Sequence, residues 1–140
     1  MRYLRAHRQP IGALMIALMT FWQIGQPLQA ATFYWDTDSS TTGNNTDGTG
    51  LGGTGNWNTS TSNWWDSTNL VVWPNTNADI ALFSGLFSIL PTLNTVTLSS
   101  GITANQLSFQ RSGHTLTGGD LTLAGTTPTL HANLGATATI

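Results

Sequence analysis

Trp57, Trp64, Trp65 and Trp73 are the side chains in this sequence best suited to recognise a ligand. Exposed, their flat amphipathic faces would stack on sugar rings, and the Asn, Ser and Thr around them would supply hydrogen bonds to a polysaccharide. Buried, the same rings would plug the open apolar end of a stacked β-fold, and the usual burial of Trp favours the plug. Asp36, Asp38 and Asp47 have the loose composition of a calcium loop. Calcium takes about six to eight oxygen ligands, and the spacing here fits neither an EF-hand loop nor a glycine–aspartate repeat, so a solvated polar loop is expected. His114 and His131 lack acids or cysteines at ligand spacing and are expected as surface histidines. No Gly-x-Ser-x-Gly elbow occurs. There is no Glu, each Asp sits in or beside a turn, and Arg111 alone is thin support for a lyase. A cysteine-free chain also has no thiol nucleophile, cysteine zinc site or iron–sulfur cluster. The expectation is therefore no catalytic residue, no metal and no cofactor.

These residues need elements to hold them. More than half of residues 31–140 are Thr, Ser, Asn or Gly. Thr favours strands through its β-branch, while Asn and Gly favour turns. Periodicity decides between disorder and structure. Leu93 to Leu98, Leu107-Ser108-Phe109, Thr115-Leu116-Thr117, Leu121-Thr122-Leu123, Thr129 to Ala132 and Ala136 to Ile140 alternate polar with apolar, separated by Gly-containing turns. Period-2 alternation predicts short strands and an all-β fold. A β-sandwich and a parallel β-helix both suit the spacing. The absence of Asn-Gly or Asp-Gly turns after residue 48 lowers the sandwich.

The first thirty residues have another purpose. Arg2, Arg5 and Arg8 precede an apolar run from Ile11 to Ile24, then Pro27 and the small residues Ala30 and Ala31. This is the layout of a secretory signal peptide, with cleavage expected after Ala30. The apolar run falls short of the roughly 20 residues that span a bilayer. The export machinery is thus the expected first partner, and no membrane span is expected in the mature chain. Beyond the signal, Arg111 stands against six Asp, with no Lys. Phosphate backbones need clustered cations, so nucleic acid is excluded as a partner.

The order of short motifs carries a resemblance. Asn56-Trp57-Asn58, Asn63-Trp64-Trp65-Asp66, Trp73-Pro74-Asn75, Ala78-Asp79, Leu82-Phe83-Ser84-Gly85, Val96-Thr97-Leu98 and Gly113 to Leu123 together resemble the start of bacterial autotransporter passengers with autotransporter-associated β-strand repeats. The resemblance implies a right-handed parallel β-helix exported by a Gram-negative cell to its surface or surroundings. It supplies no catalytic residues. In that family a C-terminal outer-membrane β-barrel translocates the passenger; no barrel strands occur in this sequence. The expected organisation is a signal peptide over 1–30, a short strand and flexible polar loop over 31–56, a Trp-rich cap or first coil over 57–92, and β-helix rungs over 93–140 that continue in a longer chain. The expected role is a structural passenger that displays loops, with a carbohydrate-binding or adhesin module built on the four tryptophans as the alternative. A polysaccharide or a host surface would then be the partner.

Overall fold

The computed structural model describes residues 29–85 and 93–140. The expected signal peptide lies almost wholly outside the described residues, as do residues 86–92 of the expected cap. Among the described residues the fold is all-β and holds no helix. No helix there is long and apolar enough to cross a membrane.

Twelve short strands follow one another: β1 Thr32–Trp35, β2 Gly55–Trp57, β3 Trp64–Trp65, β4 Leu70–Val71, β5 Ile80–Phe83, β6 Asn94–Leu98, β7 Ile102–Ala104, β8 Gln106–Phe109, β9 His114–Gly118, β10 Leu121–Leu123, β11 Thr129–Ala132 and β12 Ala138–Thr139. Alternation sets their faces. In β6, Asn94, Val96 and Leu98 are buried while Thr95 and Thr97 face water, as the two-residue period of a strand demands. Phe33 and Trp35 in β1 point inward by the same rule.

The strands form three sheets, ordered β11-β8-β5-β1-β3-β4, β12-β9-β6-β2 and β10-β7. Every pairing is parallel except β1 with β3 and β3 with β4. Parallel neighbours cannot be joined by a tight hairpin. From β5 onward the chain makes each return by way of the other two sheets, running β5, β6, β7 and then β8, β9, β10. The hairpin-linked antiparallel strands of a sandwich are confined to β3 and β4. Registers are unbroken: Ala81 pairs with Leu107 and Leu107 with Leu130, and Asn94 pairs with His114 and His114 with Ala138. Like side chains therefore stack in columns, as with Phe83 on Phe109, whose rings lie 4.9 Å apart at 14°.

Two glycines mark where the second circuit crosses the first. A Cβ on Gly118 would lie 2.7 Å from the Leu98 carbonyl oxygen, and one on Gly119 would lie 2.6 Å from the Ser100 nitrogen. No real side chain fits so close to the backbone.

The polar stretch after β1 is folded back on itself. Asp38, Ser40, Asp47 and Thr49 each donate a backbone N–H to the side-chain oxygen two residues earlier, on Asp36, Asp38, Asn45 and Asp47. Such Asx turns let Asp and Asn replace a backbone partner with their own side chain. Leu51 within this stretch is buried. The residue beside it, Gly52, donates to the Trp35 carbonyl at 2.9 Å, which ties the loop to the end of β1.

Candidate functional site

The four sequence-marked tryptophans meet in one place, but inside. Relative exposure is 0% for Trp57 and Trp64, 1% for Trp73 and 7% for Trp65. Trp64 sits at the centre: its ring lies 4.8 Å from Trp57, 4.7 Å from Trp73, 5.1 Å from Trp35 and 5.7 Å from Phe83. Most contacts run edge to face, the geometry that sets the positive ring edge against a negative π face. A sugar platform needs an exposed ring face, and these rings spend theirs on one another. Trp65 stands slightly apart, tilted against Tyr34 at 5.4 Å.

Trp35, Phe33 and Phe83 complete the cluster, and the Trp spacing alone does not reveal them. Strand phase in Phe33-Tyr34-Trp35 turns Phe33 and Trp35 inward, whereas Ile80-Ala81-Leu82-Phe83 is apolar throughout and its sequence does not single out Phe83. The indole N–H of Trp35 donates to the Gly53 carbonyl at 2.8 Å, and that of Trp73 to the Thr103 carbonyl at 2.9 Å. The N–H groups of Trp57, Trp64 and Trp65 meet no conventional acceptor. Among packed rings a π face is the weak acceptor at hand.

Trp73-Pro74-Asn75 also brackets the outer edge of β7. Asn75 Oδ1 accepts the Thr103 N–H at 2.7 Å, and its Nδ2 donates to the Gly101 carbonyl at 3.1 Å. Asn75 reaches both from a left-handed backbone, with φ 59°, a conformation Asn tolerates better than other side chains with a Cβ. Strand β3 covers the matching edge of β1, with β4 outside it. An open strand edge is an aggregation hazard, and these segments close two of them.

The other end differs. Leu130 is 56% exposed although it stands in register with the buried Leu107. All of β11 is exposed.

The titratable residues are scattered. His114, expected at the surface, is buried at 2% exposure beside the stacked Phe83 and Phe109, whose rings lie 5.5 and 6.2 Å away. The cause is its place in a strand: His114 takes the inward position of β9 that Asn94 takes in β6. Burial pushes its imidazole below the ordinary value, partly offset by a hydrogen bond with the Ser84 backbone. His131 is exposed, with Nδ1 at 3.4 Å from the Ser108 hydroxyl.

Asp36 is also buried, and burial raises its carboxyl above the ordinary value against the lowering effect of an Asn44 hydrogen bond. Hydrogen bonds from the Thr49 backbone and side chain hold Asp47 below it, with a smaller effect from Arg111. Among the described residues no group of three His, Cys, Asp or Glu could hold a metal ion.

The chain aligns over 113 residues, at 36% identity, with an adhesin, the BmaC autotransporter of Brucella suis biovar 1 (strain 1330). The alignment covers 77% of this chain but only 3% of that adhesin's length. No family model and no solved structure matches the chain. The chain is thus related in sequence to an autotransporter, through a small part of it.

Proposed function

We propose that this chain is a capped segment of a right-handed parallel β-helix, exported by a Gram-negative cell as a non-catalytic passenger scaffold that displays loops at the cell surface. The observation that carries the reading is the unbroken parallel register of the columns Ala81–Leu107–Leu130 and Asn94–His114–Ala138. Partners in these columns are roughly 20–26 residues apart, the period range of solenoid repeats. A strand, crossover and parallel strand in one sheet are right-handed in nearly all known cases. The likeness to an autotransporter adhesin supports the surface location and the passenger role.

The mechanism is mechanical. Each circuit pairs its backbone groups with the circuits on either side and buries one column of apolar side chains. Thr95, Thr97 and Thr117 meanwhile face water. The result is a stiff rod whose loops can vary without disturbing its core. The aromatic cluster then serves as the plug at one end. In this reading the four tryptophans support adhesion only indirectly, by holding the rod that presents the contacting loops.

Two measurements on the exported chain test the proposal. Thr97 and Thr117 are exposed register partners, and neighbouring strands lie about 4.8 Å apart, within the range a disulfide bridges. The double variant T97C/T117C, in a chain otherwise free of cysteine, is expected to form that bridge quantitatively on oxidation. Free thiols in the folded protein would refute the stacking. Trp emission is expected to stay constant across a panel of soluble polysaccharides. Saturable quenching would instead establish a carbohydrate-binding module.

A further inference from the structure

The start of β1 is tied to a buried acid. The Ala31 backbone N–H donates to Asp79 Oδ1 at 3.4 Å, while the Ala31 carbonyl accepts from the Ile80 N–H at 2.8 Å. Asp79 is only 5% exposed. Its Oδ2 accepts from the Thr76 hydroxyl at 2.5 Å, and its backbone carbonyl accepts from Asn105 N–H at 2.9 Å. The carboxylate is thus fixed from the far side and aimed at residue 31. Both donors, a peptide N–H and a hydroxyl, are neutral. Burying a carboxylate is costly unless a charge or several good hydrogen bonds compensate. The Ala31 contact is long for a hydrogen bond, which is usually about 2.7–3.2 Å. Gln29, Ala30 and Ala31 are themselves exposed, and among the described residues the first strand begins at Thr32.

We infer that the Ala30–Ala31 bond is a processing site, and that the α-ammonium released on Ala31 docks on the Asp79 carboxylate as a built-in counter-ion. The cleaving agent is an endopeptidase of the export pathway, and the co-reactant is water. Its oxygen adds to the Ala30 carbonyl carbon, the C–N bond breaks, and Ala30 leaves as a carboxylate. The nitrogen stays on Ala31 and takes up both protons of the water to become an ammonium. A planar peptide offers Asp79 one neutral donor from a fixed direction. An ammonium offers three, carries a full positive charge and can turn, which suits a charge-assisted bond of about 2.7–2.9 Å. Removal of the leader would therefore strengthen the contact that sets β1 beside β5. Precursor and processed chain share one fold but differ in stability. The inference rests on the export part of the proposed function and not on the β-helical scaffold.

The composition supplies a clean probe. The 140 residues contain no Lys, so when they alone are expressed and processed the Ala31 α-amine is the one primary amine they carry. The full chain is exported through its own leader from a Gram-negative host, and the mass of the recovered protein fixes its first residue. Its acylation rate by an amine-reactive ester is then followed against pH, folded and in urea. The expected mass begins at Ala31. The expected midpoint for the folded amine lies at least one pH unit above that in urea, a tenfold shift in acidity, and D79N removes the shift. A mass beginning at any other residue overturns the inference. So does a folded midpoint equal to the unfolded one. Should D79N fail to fold, the wild-type comparison still decides. A merely covered amine reacts more slowly at every pH, whereas an ion-paired one moves its midpoint.

Discussion

Replacing Asn75 separates two contributions that the structure places on one side chain. Asn75→Ala removes the bonds to the Thr103 N–H and the Gly101 carbonyl. At about 1 kcal/mol net each, they account for about 2 kcal/mol. Ala must then hold the backbone at φ 59°, which costs roughly 1–2 kcal/mol for a residue with a Cβ. The expected loss is about 3 kcal/mol. Asn75→Gly removes the same bonds but adopts that φ freely, so its expected loss is about 2 kcal/mol. The assay is urea unfolding of the exported chain followed by Trp emission, with the midpoints checked by thermal melting. For a domain of this size each kcal/mol is worth about 4–8 °C. The midpoints should therefore fall in the order wild type, Gly variant, Ala variant. A Gly variant as stable as wild type would refute the role of the side-chain bonds at the β7 edge. A Gly variant no more stable than the Ala variant would refute the backbone argument.

Other outcomes follow from the core. Burial lowers the folded pKa of His114 below its ordinary value of 6.5, so the unfolded chain takes the proton first. This stability is complete above about pH 6.5 and is lost as pH falls from there towards the folded value. His114→Gln should flatten that part of the pH–Tm profile; an unchanged acid slope would contradict the assignment. Leu107→Ala should cost about 2–5 kcal/mol by opening a cavity. Leu130→Ala, one position along the same column but mostly exposed, should stay within about 0.5 kcal/mol. Equal losses in urea unfolding would show that the outer circuit is as closely packed as the inner one.

How legible the molecule was depended on whether the information was local. Alternation in Asn94–Leu98 and Gln106–Phe109 is a local signal, so the all-β class could be read directly. Strand partners were not local. Nothing in Ile80–Phe83 states that it lies between Thr32–Trp35 and Gln106–Phe109, because each pairing bridges a full circuit of chain. His114 looked like a surface residue since histidine is polar, but strand phase put it inside and two Phe rings accepted it there. The tryptophans were conspicuous by type, yet type does not reveal burial. It took Trp35 and Phe83, contributed by other strands, to enclose Trp64. The polar stretch within 31–56 reads from its composition as a flexible loop. Its order comes from Asx turns, whose i to i+2 spacing was visible in Asp36-Thr37-Asp38 and Asp47-Gly48-Thr49.

The aromatic cluster also sets a timetable for folding. Its rings come from β1, β2, β3, the Trp73 segment and β5. A chain emerging from its amino end therefore cannot close the cluster until Phe83 has appeared. Loop-closure entropy must be met before these distant contacts can repay it. Once they form, each later strand needs only the neighbouring circuit as its template, and the cost of adding it no longer grows with chain length. On the scaffold reading, the stretch from Phe33 to Phe83 is the slow ignition step and the strands after it propagate from it.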